Sequence, residues 1–327
     1  MVALSRTDDQ VRAAYKAVEE SDATTGEKAE MLMEIAMGIQ QQPKAVEDLH
    51  AAVEMYRKSI ELCGDGPELL IARITARLAT ALMATPSDTA DYLLEAQTAL
   101  ESSLATFAVE GTPEETAEAE MNLGLVLQNL AGMHKARIQD SISAYQRALR
   151  TFDKEKHATE FAIVQNNLAT AFLSIPFTDE KGKLREALAV QAFEEGLAVV
   201  TLIDHPSEYA MLQNNLGNAL QYVSSSHRVE NGYRALEAYD EALKVRTLRD
   251  MPGEYANTIS NKANCLSNLP DDLADVEKGN PKNIAAAVEL YTEAKNIFES
   301  VGELGKAIEV GNAISELSPD LTTVTIN

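Results

Sequence analysis

Residues Ser207–Tyr222 read SEYAMLQNNLGNALQY, and the chain carries three further copies of this stretch. They are TEFAIVQNNLATAFL at Thr159–Leu173, EETAEAEMNLGLVLQN at Glu114–Asn129 and GEYANTISNKANCLSN at Gly253–Asn268. Within a copy the apolar residues fall at i, i+3, i+7 and i+11, as Tyr209, Leu212, Leu216 and Leu220 or Phe161, Val164, Leu168 and Phe172. That spacing marks one stripe of an amphipathic helix and excludes a strand.

Each copy is followed by a second helical pattern, clearest in RALEAYDEALKV at Arg234–Val245. Its large residue recurs as Tyr56, Leu100, Tyr145, Phe193, Tyr239 and Tyr291. A small residue stands four positions before it (Ala52, Ala96, Ser141, Ala189, Ala235, Ala287) and another three positions after it. Small residues one turn either side of a ring let two helices approach while the ring fills the space between them. Equivalent first-helix positions are Glu34, Arg77, Asn122, Asn167, Asn215, Asn261 and Glu309. They lie about 45 residues apart, a period that predicts stacked helix pairs. The expected fold is therefore all-α, an α-solenoid or superhelix of antiparallel helix pairs. The expected organisation is a capping helix within residues 1–25, about seven units over 26–318 and a tail over 319–327.

Unit starts are legible too. Thr112-Pro113-Glu114-Glu115 is a capping box with proline at its first helical position, and Pro206 and Pro252 precede Glu208 and Glu254; glutamates there suit the positive end of a helix dipole. Thr258 and Lys262 depart from the stripe where the preceding unit has Leu212 and Leu216. A looser pack is expected there, with Lys262 snorkelling outward. The polar connection Leu269–Lys282 is expected to be the most mobile.

Composition bounds the function. The 51 acidic and 28 basic residues give a net charge of −23, which argues against nucleic acid or an anionic membrane as partner. Two distant cysteines, Cys63 and Cys265, supply no disulfide framework or zinc spacing and suit a reducing cytoplasm. No apolar run reaches the ~18 residues of a membrane span, and the N-terminus lacks a secretory pattern. None of His50, His134, His157, His205 and His227 has the i, i+4 partner of a helical metal site. With no phosphate loop or nucleophile motif, the expectation is a non-enzymatic protein without metal or cofactor.

The pattern L-G/A in the first helix and A-x-x-x-Y-x-x-A-L in the second resembles the tetratricopeptide repeat, whose standard unit is about 34 residues. The form QNNLGNAL followed by EAYDEALKVRT and then P-x-E-Y-A is similar to kinesin-light-chain-type repeats and to bacterial arrays that precede CHAT peptidase domains. The extra length is expected mainly in the turn between the paired helices. The resemblance implies a cytoplasmic scaffold or adaptor that binds an extended peptide or partner tail in a concave groove of first helices. Candidate groove residues are Asn122, Asn166, Asn167, Thr170, Met211, Asn214, Asn215, Asn218, Tyr222, Asn261 and Asn264. An asparagine both donates and accepts, so a ladder of them can pair with a peptide backbone; the alternative is that these amides satisfy neighbouring helices. Only Arg73 and Arg77 are basic on that face, which disfavours a carboxylate clamp, and Glu34 and Arg77 could pair across units. The turn Ser224–Leu243 also resembles stand-alone repeat proteins encoded beside bacterial metalloenzymes. That resemblance implies a second function, an assembly chaperone for an enzyme such as a nickel–iron hydrogenase. It would make contact through the edge loops Ser174–Lys183 and Val223–Asn231, with Ile175 and Phe177 as apolar contacts.

Overall fold

The computed structural model describes residues 6–176, 181–223, 227–272 and 279–324. Among them every regular element is a helix, fourteen in all. Two compact units divide the chain, residues 1–153 and 154–327.

The first unit comprises α1 (Arg6–Glu19) and three hairpins: α2 (Thr25–Gln41) with α3 (Val46–Cys63), α4 (Glu68–Ala84) with α5 (Asp91–Glu110), and α6 (Pro113–Gly132) with α7 (Ile138–Ala148). Helix α1 packs on α2 and α3, burying Val18, with Val11, Ala14 and Tyr15 half-buried beside it. Two capping boxes start the hairpins, Thr24 with Glu27 on α2 and Thr112 with Glu115 on α6. Each satisfies backbone N–H groups that no helical carbonyl reaches, and each contributes about 1 kcal/mol.

The second unit comprises α8 (Ala158–Leu173) with α9 (Lys181–Leu197), α10 (Pro206–Tyr222) with α11 (Arg228–Leu243), and α12 (Pro252–Ser267) with α13 (Pro281–Ser300). Helix α14 (Leu304–Val324) then packs on α13 through Ala307, Val310 and Ile314. Pro206, Pro252 and Pro281 each sit in the first turn, where a missing N–H costs nothing. The turns joining one hairpin to the next share a device: Thr201 Oγ1 donates to Asp204 Oδ2 at 2.8 Å, and Thr247 Oγ1 to Asp250 Oδ2 at 2.8 Å. Each threonine oxygen in turn accepts the aspartate's backbone N–H, which fixes the reversal of the chain. Arg185 of α9 donates to the carbonyls of Leu173 and Ile175, closing the C-terminal end of α8.

The recurring rings are core. Tyr56, Tyr145, Phe193 and Tyr239 are inaccessible to solvent, and Tyr291 and Leu100 are buried. Burying such a ring contributes about 2–3 kcal/mol, and the facing glycine makes room for it. A Cβ on Gly124 would stand 2.5 Å from Tyr145, and one on Gly217 would stand 2.6 Å from Tyr239. Ser59 and Ser103, three residues after Tyr56 and Leu100, are buried and donate to the carbonyls of Ala29 and Ala72 at 2.6 and 3.0 Å. The extra length of the units is shared between turns and helices: α6 and α13 run to 20 residues each, while α7 follows α6 after only Met133–Arg137.

The expected departure from the stripe at Thr258 and Lys262 of α12 takes a specific form. Thr258 is fully buried, accepting from Arg246 at 3.0 Å and donating to the Glu254 carbonyl. One unit earlier the equivalent residues are Val200 and Leu212, both in the apolar core. A hydroxyl and a guanidinium thus replace two aliphatic side chains, and burial lowers the affinity of Arg246 for its proton. The expected outward snorkelling of Lys262 ends on Asp240, with which its ammonium pairs. Of the Leu269–Lys282 connection, residues 273–278 lie outside the described residues. Its two ends are fastened: Asp271 accepts the N–H groups of Lys282 and Asn283, and the Asn283 amide donates to the carbonyls of Leu269 and Pro270.

Candidate functional site

The first helices of the second unit, α8, α10 and α12, bring most of the predicted residues together. Asn167 Oδ1 accepts from Asn166 Nδ2 at 3.2 Å, and Asn166 Oδ1 accepts from Asn215 Nδ2 at 2.8 Å. Asn215 Oδ1 accepts from Asn214 Nδ2 at 3.0 Å, and Asn214 Oδ1 accepts from Asn261 Nδ2 at 3.2 Å. Five amides therefore form one directional relay across three helices. The order follows from geometry: neighbours in sequence point about 100° apart on a helix, so each Asn-Asn pair has one amide turned inward and one turned outward.

Burial separates their roles. Asn166 and Asn214, which the sequence placed on the ligand face, are 6% and 7% exposed. They are internal links that set the orientation of their neighbours. Asn167, Asn215 and Asn261 are half-buried. Within the relay Asn167 keeps both N–H groups, Asn215 keeps one, and Asn261 keeps one N–H and its carbonyl oxygen. The face is a row of amides held in fixed orientation, with hydrogen-bonding capacity left over and directed away from the core.

The remaining predicted residues join at the C-terminal ends of the same helices. Asn218 Oδ1 accepts from Tyr239 O–H at 2.7 Å, and Gln221 Nε2 donates to the same phenol at 3.1 Å. Asn264 Nδ2 donates to Tyr222 O–H at 2.6 Å. Thr170 donates to the Asn167 carbonyl, Met211 is half-buried, and the Tyr222 ring is 67% exposed. Asn122 belongs to the first unit.

Sequence reasoning missed the glutamines. Gln40, Gln128 and Gln221 stand six residues after Glu34, Asn122 and Asn215, and each meets the tyrosine of its own hairpin. Tyr56 donates to Gln40 at 2.9 Å and Tyr145 to Gln128 at 3.0 Å. Where the ring is Phe193 the matching residue is Leu173, and where it is Leu100 the matching residue is Met83. A phenol in a hairpin core requires an acceptor; a phenyl or leucine requires apolar cover. This co-variation was the available signal in five of the six hairpins; Tyr291, with Ser267 at the matching position, does not follow it.

The first unit builds its equivalent face from charge. Arg73 of α4 pairs with Glu115 of α6 at 2.6 Å, and Arg77 pairs with Glu118 at 3.2 Å. The anticipated partner of Arg77 was Glu34 on α2; Glu118 takes that place. Glu115 also accepts from the Thr112 backbone N–H in its capping box. The Arg73 guanidinium, followed by that cap, holds its carboxyl below the usual carboxylate range. These groups, with Met33, Phe107 and Asn122, border a cavity of about 210 Å³. Because both arginines already hold carboxylates, neither is a free cation for a ligand carboxylate.

Cys265 is buried and donates to the Gly232 carbonyl at 3.3 Å, and burial pushes its thiol up to about 11, which keeps it protonated at neutral pH. Of the edge loops, Phe177 and residues 178–180 and 224–226 lie outside the described residues. No group of three potential metal ligands occurs among the described residues, and none of the described helices is long and apolar enough to cross a membrane.

No family model matches the chain, and no curated protein matches it. Solved structures do. The chain is similar to BtubC (BKLC) from P. vanneervenii at 19% identity and a TM-score of 0.52, over 74% of this chain and 92% of that one. It is similar to a Rap protein complexed with Competence and Sporulation Factor at 11% identity and a TM-score of 0.55, over 96% and 80%. A signal transduction ATPase with numerous domains and a tetratricopeptide repeat sensor, from Pyrococcus horikoshii, aligns at 17% identity and a TM-score of 0.58. That match covers 91% of this chain and 41% of the ATPase, so the chain spans less than half of it. At these identities the likeness is one of fold, and the fold is the tetratricopeptide-type helical repeat.

Proposed function

We propose that the protein is a non-enzymatic interaction scaffold that holds an extended peptide or partner tail along α8, α10 and α12. The observation that carries this reading is the asparagine relay. A peptide backbone repeats one donor and one acceptor per residue, and a row of half-exposed amides offers the complementary set without reading side chains. Asn166 and Asn214 fix Asn167, Asn215 and Asn261 before any ligand arrives, so less side-chain freedom is lost on binding. The Rap protein of the same fold was crystallised with Competence and Sporulation Factor, a precedent for a bound partner on this architecture. The net charge of −23 favours a neutral or basic ligand, and two free buried cysteines suit a reducing cytoplasm.

The test is selection of a random peptide library on the immobilised full-length protein, followed by titration of the enriched peptides against Asn167→Ala/Asn215→Ala. The reading predicts that enriched peptides bind the wild type and bind the double variant at least about tenfold more weakly, with helical circular dichroism unchanged. Equal binding to both proteins would remove the relay from the site.

A further inference from the structure

A cavity of about 390 Å³ opens beside the relay, at the turn edge of the second unit, and is lined by none of the five relay asparagines. Val229 of α11, Leu269 and Pro270 after α12, and the ring of Tyr222 give it apolar walls; Cys265 closes it from the core side. Its volume is in the range of sites for small ligands and anchor side chains.

Several donors of the walls are engaged within the protein. Tyr222 O–H accepts from Asn264, Gln221 donates to Tyr239, and Cys265 donates to the Gly232 carbonyl. Asn280 Nδ2 donates to the Ser267 carbonyl at 2.6 Å, and Asn268 Nδ2 to the Asn264 carbonyl at 2.8 Å. Gly232 lets α11 approach the end of α12, since a Cβ there would stand 2.6 Å from Leu269. With these donors committed within the protein, the hollow offers a ligand chiefly carbon surface.

One group differs. Arg228, in the first turn of α11, is exposed at the rim, makes no ion pair among the described residues, and is the one charged side chain that lines the cavity among them. In a chain of net charge −23 an unengaged guanidinium beside an apolar hollow is a specific complement to an anion. We propose that this cavity is an anchor site for an apolar residue carrying a carboxylate next to its side chain: the side chain fills the hollow and the carboxylate pairs with Arg228. Tyr222 belongs both to the predicted amide face and to the cavity wall, so the anchor extends the peptide-binding reading and rests on it for its place in a longer ligand. The chemistry fits the free carboxyl end of a peptide whose last residue is apolar.

The chain contains no tryptophan, so an indole probe reports binding against a dark background. The experiment titrates the full-length protein into N-acetyl-tryptophan and, separately, N-acetyl-tryptophanamide, following the shift of emission to shorter wavelength. A saturable shift is expected for the carboxylate, with a dissociation constant on the order of 0.1–1 mM, and at least about tenfold weaker binding of the amide. Arg228→Ala should weaken the carboxylate about tenfold and leave the amide unchanged, and Tyr222→Ala should weaken both. Both substitutions are at exposed side chains, so folding is preserved. Asn167→Ala/Asn215→Ala should bind the probes as wild type does, so the anchor and the amide row can fail separately. Absence of a saturable shift overturns the site, equal binding of the two probes overturns the role of Arg228, and binding unchanged by both Arg228→Ala and Tyr222→Ala places the probe elsewhere. A longer peptide ending in tryptophan should bind more tightly than one bearing Trp-Glu internally, and preference for the internal sequence overturns the assignment to a free carboxyl end.

Discussion

The two units build the same ring-in-gap core and finish their first-helix faces with opposite chemistry. In the first unit Arg73–Glu115 and Arg77–Glu118 tie α4 to α6 through charge. In the second, a relay of neutral amides ties α8 to α10 and α10 to α12. Half-exposed ion pairs are screened by salt and contribute about 0–1 kcal/mol each. The relay has no net charge to screen, and its inner members are buried, so removing one strands its neighbours. Cross-helix links can thus be built so that the first-helix face is self-neutralised or so that it keeps unused, oriented hydrogen-bonding groups.

The shared core gives the largest expected effect. Tyr145→Ala and Tyr239→Ala should each cost about 3–5 kcal/mol in urea unfolding followed by circular dichroism; a cost in only one unit would show that the two cores are not equivalent. Next come the face links. Asn214→Ala removes the acceptor of Asn261 and the donor to Asn215, and should cost about 1–3 kcal/mol, against under about 1 for Arg77→Ala. A reversed order would break the distinction between the faces. Within the second unit, Arg246→Val with Thr258→Leu restores the aliphatic pair found at Val200 and Leu212, and should raise stability by about 1–3 kcal/mol. A loss of stability would show that the polar pair is better packed than its aliphatic counterpart.

The smallest effect separates the faces by pH. Arg73 holds the Glu115 carboxyl below its ordinary value. The pair's contribution is therefore full above the unfolded carboxylate pKa and is lost as pH falls through the lower, folded value. A double-mutant cycle on Arg73 and Glu115 should give about 0–1 kcal/mol at pH 7 and fall towards zero as pH drops through the folded carboxylate value or in about 1 M salt. The same cycle on Asn166 and Asn215 should be unchanged by either condition.

The sequence made the helices legible because stripe, small-ring-small triplet and capping residues all follow fixed helical periods. Tyr56, Tyr145, Tyr239 and Tyr291 were readable as core for that reason, as was Thr112 as a cap. The relay was half legible. Spacing placed Asn167, Asn215 and Asn261 at one register, yet which member of each Asn-Asn pair turns inward depends on how neighbouring helices pack. The identity of Arg77's partner was hidden for the same reason: Glu34 and Glu118 are both about one repeat away, and packing selects Glu118. Gln221 and its equivalents were hidden because a glutamine at a helix end looks like ordinary surface until the facing phenol is placed.

One titration tests the central claim most directly. A labelled peptide recovered on the wild type would be titrated, by fluorescence anisotropy, against the wild type, Asn167→Ala/Asn215→Ala and Arg73→Ala/Arg77→Ala. The amide face predicts at least about tenfold weaker binding to the asparagine variant and affinity within about twofold of wild type for the arginine variant. Loss in the arginine variant with the asparagine variant unaffected would contradict it and move the site to the charged face of the first unit.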